Sequence, residues 1–169
     1  MSWPPPLVWV LGLVVLQRVA ELALARRNTK RLLARGGREV GADHYGLMVF
    51  LHAGWLAAIA LTTHAEAPPN WWLLGLYALL QVARLWVIVS LGEYWTTRVI
   101  TLDDAPLVRR GPYRFLKHPN YWIVAAEIAV LPLAFGNWAV AVVFSLFNAL
   151  LLRRRIRVEQ AALSPREAN

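Results

Sequence analysis

The sequence predicts an all-α integral membrane protein with five membrane-inserted helices, and three observations support this fold class. Of the 169 residues, 58% are apolar and only 17% are charged, and the mean hydropathy is +0.43. Soluble domains are nearer one half apolar and one quarter charged. The apolar residues form four long runs, and nearly all basic residues lie outside them. A chain of this length is expected to form one domain.

Three of the apolar runs each have the length of one membrane crossing. Leu7–Ala25 has 19 residues, Gly46–Thr63 has 18 and Trp71–Leu91 has 21. A helix needs about 20 apolar residues to cross the hydrocarbon core. We therefore predict one membrane-spanning helix in each of these runs.

The fourth run, Tyr121–Leu152, has 32 residues and is too long for one crossing. Pro132 removes a backbone donor, and Gly136-Asn137 favours a turn. We predict a short C-terminal hairpin of two antiparallel helices, Pro119–Leu131 and Trp138–Arg153. At about 1.5 Å per residue the first of them reaches only about 20 Å, so the hairpin can tilt or dip instead of crossing squarely.

The basic residues indicate the orientation of the chain in the membrane. Sixteen of the 18 lysines and arginines lie in residues 26–44, 92–120 and 153–169, whereas residues 63–70 contain none. By the positive-inside rule these three segments face the cytoplasm, which puts the N-terminus outside and the C-terminus inside. Basic flanks of membrane helices face anionic lipid headgroups, so membrane lipids are the expected partners and no nucleic acid is expected.

The chain is interpreted as one membrane domain, 1–169, in which residues 1–91 are a three-span N-terminal part. Residues 92–169 hold a loop, the helical hairpin and a C-terminal helix. The absence of cysteine excludes thiolate chemistry, disulfides and cysteine-ligated metals. The four histidines have no metal-ligand spacing and no glycine-rich nucleotide loop is present, so neither a metal site nor a Rossmann-type domain is predicted.

Four charged residues lie inside the apolar runs, where ionisable groups are costly and usually face the interior of a bundle. Arg18 and Glu21 can pair on one helical face, or reach the membrane surface at the helix end. Arg84 can pair with Glu21 or Glu127, or it can hold an anionic substrate group. Glu127 either pairs across helices or takes part in chemistry. His52, alone in an apolar run, is interpreted as a structural histidine.

The segment from Leu107 to Tyr121 combines turn residues with polar side chains. Gly111-Pro112 makes a turn, and Pro119 suits the first position of a helix. His118 then lies near the N-cap of the fourth helix, beside unpaired backbone donors and a positive dipole end. Such a position can hold a carboxylate or polarise an oxygen.

A second polar segment, Arg153–Gln160, continues the last helix. Arg155 and Glu159 are four residues apart and therefore share a face of this helix. The hairpin brings this face back beside the loop that carries His118. Donors and an acceptor are thus expected to converge at one cytoplasmic surface.

Together these two segments resemble the isoprenylcysteine carboxyl methyltransferase family, which is marked by a Gly-x-Tyr…Arg-His-Pro-x-Tyr loop, a short helical hairpin and an Arg-x-x-x-Glu-Glu motif. Residues 107–160 carry the resemblance. Lys117 stands where the family usually has arginine, and Gln160 stands where a second glutamate is usual. Upstream, residues 17–28 and 92–98 are similar to a small bacterial branch whose relatives methylate alkylpyrones and phenolic lipids.

The resemblance implies a membrane-embedded, S-adenosylmethionine-dependent O-methyltransferase of a bacterial inner membrane, with its cofactor site at the cytoplasmic face. A lipid-like acceptor would enter from the bilayer and offer a carboxylate, enol or phenol oxygen. His118 and Tyr121 would contact the cofactor, Glu159 its ribose or amino group, and Arg155 its carboxylate or Glu159 itself. The complete predicted cofactor-binding set is Val108, Tyr113, His118, Tyr121, Arg155 and Glu159.

The predicted catalytic residues are Glu127, Lys117 and Arg84. Glu127 and His118 are the candidates for a general base, which a phenol needs more than a carboxylate does. Two other functions remain open from the sequence. One is an NADPH-dependent membrane reductase of the sterol type, and the other is a small membrane transporter or scaffold without a soluble cofactor. Titration with both cofactors distinguishes them. The sequence specifies neither the acceptor nor the oligomeric state.

Overall fold

The computed structural model describes residues 4–102, 105 and 108–167, except for the side chains of residues 44 and 163–167. Leu107, at the start of the loop segment, and the side chain of Arg166 lie outside this description. Within it, five α-helices are present: α1 (Pro6–Ala34), α2 (Tyr45–Thr62), α3 (Trp71–Leu91), α4 (Pro119–Ala134) and α5 (Trp138–Glu167). Short 3-10 helices cover Ala42–His44, Gly92–Tyr94 and Gly111–Arg114.

The first three helices are long and apolar enough to cross a membrane, as the sequence predicts. The apolar helix α4 is shorter, and the number of five membrane-inserted helices stays a prediction. Helix α1 is longer than its apolar run because it continues past Ala25 to Ala34. The first residues of the basic segment 26–44 are therefore helical, since arginine, lysine and leucine are good helix formers.

Helix α4 corrects the predicted end of the hairpin's first arm, because it continues through Pro132 to Ala134 instead of ending at Leu131. Proline has no N–H to bond the carbonyl four residues earlier, which is that of Ile128. The indole Nε1 of Trp55 on α2 donates to this carbonyl at 3.1 Å. A neighbouring helix thus replaces the lost hydrogen bond, and the helix tolerates the proline.

A short antiparallel ribbon is an addition to the predicted all-α fold. Strand β1 (Arg38–Val40) pairs with β2 (Val99–Thr101), with Glu39 opposite Ile100. The ribbon connects the segment after α1 to the segment after α3. Its pairing joins residues far apart in sequence, and three-residue strands carry little periodic signal.

The three basic segments meet at one end of the bundle, which we call the basic end. Arg98 of the second segment pairs with Glu39 of the first at 2.8 Å, and Arg154 of the third pairs with Asp43 of the first. The structure thus brings together the segments that the positive-inside rule assigns to one side of a membrane.

The predicted hairpin turn lies at the other end of the bundle. Asn137 donates to the hydroxyls of Thr62 and Thr63 at 2.8 and 2.9 Å, and so links the α4–α5 turn to the end of α2. Between the two ends, a core around Trp55 and Ile128 is closed to solvent, while large apolar side chains such as Trp72 (90% exposed) face outward. This outward apolar surface is expected of a protein surrounded by lipid.

Candidate functional site

A cavity of about 1060 Å³, which we call the site cavity, opens at the basic end. It is bounded by β2, by the loop before α4, by the first turn of α4 and by α5. It brings together every residue of the predicted cofactor-binding set, with Lys117 of the predicted catalytic set: Val108, Tyr113, Lys117, His118, Tyr121, Arg155 and Glu159. The convergence that the sequence predicts for its two polar segments is therefore present in the structure.

The loop that forms one wall is fixed onto α3 by close packing at Gly111. Gly111 has a left-handed φ of +58°, and a Cβ atom there would overlap Ser90 Oγ and lie 2.9 Å from Ser90 Cβ. The neighbouring Arg110 donates from Nε to the carbonyl of Ser90 at 2.8 Å. Glycine suits both the backbone angle and the close contact, and these contacts hold the loop against the end of α3.

His118 is the N-cap residue of α4, as predicted, and Pro119 takes the first helical position. The His118 ring stacks on Tyr121 at 5.4 Å between centroids. Its Nε2 lies 3.4 Å from the Gln160 amide nitrogen. The start of α4 therefore places an imidazole and a phenol side by side on the cavity wall.

A chain of hydrogen bonds, which we call the site chain, links Arg155 to Glu159 through Tyr121. Arg155 donates from Nε to the Tyr121 hydroxyl at 2.9 Å, and this hydroxyl donates to Glu159. Arg155 is buried and also donates to the carbonyl of Thr97 at 2.9 Å. The shared face predicted for Arg155 and Glu159 is thus correct, with Tyr121 as the connecting group.

Glu159 is held in its ionised form by its neighbours. Burial alone would raise the pKa of Glu159, but nearby His118, the Tyr121 hydroxyl and the positive charge of Arg155 together lower it below its ordinary value. The His118 Nδ1 lies 3.5 Å from Glu159 Oε1. Burial, reinforced by the charge of Glu159, raises the pKa of the Tyr113 phenol. The site therefore presents a carboxylate acceptor beside neutral phenols.

Two buried polar atoms on the cavity wall, Trp95 Nε1 and Asn120 Oδ1, have no hydrogen-bond partner among the described residues. Buried polar atoms without partners are uncommon and costly, and a bound ligand is one way to satisfy them. The sequence analysis assigned no role to Trp95 or Asn120, although Asn120 occupies the variable position of the His-Pro-x-Tyr motif.

Arg84 and Glu127 of the predicted catalytic set lie outside the wall of the site cavity, in a buried cluster that we call the charge network. Arg84 donates to both oxygens of Glu21 at 2.7 Å and to Glu127 at 3.2 Å. Arg18 donates to Glu21 and to Glu127 at 2.9 Å each. The two pairings that the sequence left open for Arg84, with Glu21 and with Glu127, therefore both occur, and the network joins α1, α3 and α4.

The charge network approaches the site cavity at Trp95. The Arg84 guanidinium lies 5.8 Å from the ring centroid of Trp95, which lines the cavity.

His52, interpreted as structural, has its Nδ1 2.8 Å from the carbonyl of Met48 on its own helix.

These features define a class of protein: a helical membrane protein with a polar cavity built from loops and helix ends at one end of its bundle. The chain belongs to the isoprenylcysteine carboxyl methyltransferase family, whose family model matches residues 73–165. The matched range holds most of α3, all of α4, most of α5 and the loop of the site cavity. Family membership makes the protein a membrane methyltransferase.

The curated relatives match nearly the whole chain. One is the protein YpbQ of Bacillus subtilis (strain 168), described as uncharacterized, which is 38% identical over 160 residues covering 92% of this chain and 95% of the relative. Another is an uncharacterized protein of Haemophilus influenzae, 26% identical over 152 residues covering 87% and 88% of the two chains. No solved structure matches the chain significantly.

Proposed function

We propose that the site cavity binds S-adenosylmethionine and that the protein methylates an oxygen of a lipid-like acceptor. One observation carries this proposal. The six residues predicted to bind the cofactor are spread from Val108 to Glu159, yet all of them line one cavity. Its volume of about 1060 Å³ is at the upper end of the about 300–1,000 Å³ usual for ligand pockets, so it has room for a nucleoside and an amino-acid tail.

The polar groups on the wall fit the groups of this cofactor. The ionised Glu159 accepts hydrogen bonds from ribose hydroxyls or from an ammonium group. His118 and the positively charged Lys117 suit a carboxylate. Trp95 Nε1 is a donor and Asn120 Oδ1 is an acceptor, and neither has a protein partner in the described part of the chain. A purine ring or a sugar can hydrogen-bond to both. Donors and acceptors are thus available for each polar part of the molecule.

When bound, S-adenosylmethionine would supply an electrophilic methyl group to the acceptor oxygen, S-adenosylhomocysteine would be the leaving group, and His118 would take the acceptor proton. The protein's task in such a displacement is to align the two reactants and to exclude water. Tyr121 and Arg155, held in the site chain, keep the wall rigid. Lys117 and His118 lie at the N-terminus of α4. Lys117 is placed to attract the acceptor, and His118 is placed to deprotonate it.

The predicted catalytic roles of Glu127 and Arg84 are less direct. Arg84 lies against the Trp95 ring and Glu127 is hydrogen-bonded to Arg84, so a role in chemistry would reach the site cavity through this indole. The two arginines and two glutamates of the charge network have no net charge. This balance supports a structural role in holding the helices together. Variants of Glu127 separate these two roles, as described in the Discussion.

For localisation, we propose a bacterial inner membrane with the basic end in the cytoplasm. Cysteine labelling tests this orientation, because the chain contains no native thiol. Ala65, in the loop between α2 and α3, and Ala161, near the end of α5, lie at opposite ends of the bundle. We expect an impermeant maleimide to label Ala65→Cys but not Ala161→Cys in intact cells. The reverse pattern contradicts the orientation.

The cofactor assignment is tested by isothermal titration of the detergent-purified protein with S-adenosylhomocysteine and, in parallel, with NADPH. We expect S-adenosylhomocysteine to bind and NADPH not to bind. Glu159→Gln should lower the affinity by about one to two decades, since a hydrogen bond to a charged group contributes about 1.5–3 kcal/mol. Glu93→Gln, in an exposed pair with Arg35, is the matched control. Wild-type affinity of Glu159→Gln, or binding of NADPH alone, contradicts the proposal.

A further inference from the structure

Gln160 stands where the family usually has a second glutamate, and the structure shows what this side chain contacts. It follows Glu159 on α5 and lines the site cavity. Its amide nitrogen lies 3.4 Å from Nε2 of His118. A glutamate in its place would put a second carboxylate beside the imidazole. The departure from the family motif therefore changes the charge next to the residue that is placed to deprotonate the acceptor.

The two ring nitrogens of His118 face different groups. Nδ1 lies 3.5 Å from Oε1 of Glu159, which its neighbours hold in the ionised form. A carboxylate only accepts hydrogen bonds, so this contact favours a proton on Nδ1. In the neutral imidazole Nε2 then carries the lone pair. The amide of Gln160 has N–H groups to donate to it.

The titratable groups around His118 come from the loop, from α4 and from α5. Tyr121 of α4 stacks on the ring, and Glu159 is the carboxylate of the cavity wall in the described part of the chain. The other titratable groups on this wall are two phenols and five basic side chains: Tyr94, Tyr113, Arg98, Arg109, Arg114, Lys117 and Arg155. His118 therefore has a carboxylate at Nδ1 and an uncharged amide at Nε2.

We propose that Gln160 is a positioning residue that keeps the proton of neutral His118 on Nδ1 and the lone pair on Nε2. The proposal rests on the function proposed above, in which His118 takes the acceptor proton. Gln160 is exposed, so its side chain is able to leave Nε2 when the acceptor arrives. The acceptor proton then moves from oxygen to Nε2, the oxygen receives the methyl group, and the electrons of the carbon–sulfur bond remain with S-adenosylhomocysteine.

Glutamine and glutamate differ in what they exchange with Nε2. An amide has both donors and an acceptor, so it is able to pair with Nε2 before and after this nitrogen is protonated. A carboxylate only accepts, and its charge favours a proton on Nε2 as well. Between Glu159 and a second glutamate, the His118 ring would carry both protons. It would then have no lone pair for the acceptor.

The positions of the protons are measured by ¹⁵N NMR of the full-length, histidine-labelled protein in detergent, without turnover. His118→Gln identifies the His118 signals among those of the four histidines. At pH about 7.5 we expect Nδ1 to be protonated and Nε2 to be unprotonated, which is the reverse of the preference of free neutral histidine. Gln160→Met keeps the length of the side chain but has no N–H. It should raise the fraction of the Nε2–H form about two- to tenfold, the size of one neutral hydrogen bond.

Gln160→Glu tests the effect of charge. Both nitrogens of His118 should be protonated at the same pH, and the acid limb of the pH profile of methyl transfer should move up by about one to three pH units, the effect of an opposite charge within about 4–6 Å. The rate should recover above this limb. Arg157→Gln, at an exposed position of the same helix, lowers the net charge equally and is the matched control. It should keep the wild-type signals and profile.

The outcomes separate this proposal from the proposed function. A wild-type ring with its proton on Nε2, or a wild-type ratio of the two forms in Gln160→Met, overturns the role of Gln160. A wild-type pH profile of Gln160→Glu also overturns it. Failure of the wild-type protein to bind S-adenosylhomocysteine overturns the methyltransferase site and leaves the protons of His118 measurable. Thermal unfolding in detergent shows that the variants are folded.

Discussion

The charge network and the site chain are built from the same residue types but differ in how completely they are satisfied. In the network, Glu21 and Glu127 balance two arginines, and each carboxylate oxygen accepts at least one hydrogen bond. In the site chain, Arg155 and Glu159 are linked by Tyr121, while polar atoms on the same wall have no partner among the described residues. We call the first cluster closed because all four of its carboxylate oxygens accept hydrogen bonds, while Arg18 Nε has no partner among the described residues; the second cluster is open toward a cavity.

This difference separates a structural role from a binding role. Buried carboxylates whose oxygens all accept hydrogen bonds from the protein have no acceptor left for a ligand, and removing one of them leaves an uncompensated charge. An open cluster keeps donors and acceptors available at the cost of stability, which is typical of functional sites. Both clusters contain arginine and glutamate within or next to apolar helices, so sequence alone does not distinguish them.

The largest expected effect comes from breaking the closed cluster. Glu127→Gln leaves Arg18 and Arg84 with one carboxylate between them, and we expect the free energy of unfolding to fall by about 3–5 kcal/mol. Thermal unfolding in detergent, followed by tryptophan fluorescence, measures the change. Glu93→Gln, in an exposed ion pair, should have little measurable effect. Normal stability with lost methyl transfer would instead support the catalytic role predicted for Glu127.

The second largest effect is expected at Gly111. This residue lies in the loop before α4 and packs on α3, the helix that carries Arg84. Gly111→Ala and Gly92→Ala both place a side chain at a left-handed φ, which costs about 1–2 kcal/mol. Only Gly111→Ala also overlaps Ser90, which adds about 1–3 kcal/mol, whereas the nearest atom at Gly92 is 3.5 Å away. We expect Gly111→Ala to be less stable and to bind S-adenosylhomocysteine more weakly, and Ser90→Gly to restore part of the loss. Equal effects of the two alanine variants would contradict the packing argument.

A smaller effect is expected from removing the central hydroxyl of the site chain. Tyr121→Phe removes the hydroxyl between Arg155 and Glu159 and keeps the ring that stacks on His118. One lost hydrogen bond lowers S-adenosylhomocysteine affinity about two- to tenfold, as measured by titration. Tyr77→Phe, in the apolar core, is the matched control. An unchanged affinity for Tyr121→Phe would mean that the site chain does not position the wall.

The smallest effect is a change in pH dependence. Because the pKa of Glu159 is lowered in the folded protein, its contribution to stability is complete above its ordinary value of 4.5. The contribution is lost as the pH falls through the lowered folded value. Glu159→Gln should therefore flatten the acid side of a stability curve below pH 4.5 and leave the curve near neutrality unchanged in shape. A curve that keeps the wild-type acid side assigns the titration to another group.

Local patterns in the sequence predicted much of the fold. The helix of residues Trp71–Leu91 has the predicted bounds, and His118 lies at the predicted N-cap. These features depend on residues close together in the chain, such as apolar runs and the proline that begins α4. The convergence of His118 and Glu159 followed from the hairpin, which was itself visible in the length of one apolar run.

Other features depend on residues that only the folded chain brings together. The Trp55 indole, from another helix, allows α4 to continue past Pro132. Likewise, Arg84 contacts two glutamates at once, and no pattern within α3 specifies both. Asn148 appears in the sequence as one polar residue in an apolar helix, and only the structure shows its Oδ1 beside a cavity with no hydrogen-bond partner in the described part of the chain.

The balance of the charge network also has a consequence for biosynthesis. The apolar run of α1, Leu7–Ala25, carries no net charge because Arg18 and Glu21 pair within it, whereas α3 brings the charge of Arg84. A central arginine costs about 2.5–3.5 kcal/mol on insertion scales, and its second carboxylate partner, Glu127, is synthesised some forty residues later. Nascent chains that end before α4 should therefore insert α3 poorly. Stable insertion of α3 should require that α4 has also been synthesised.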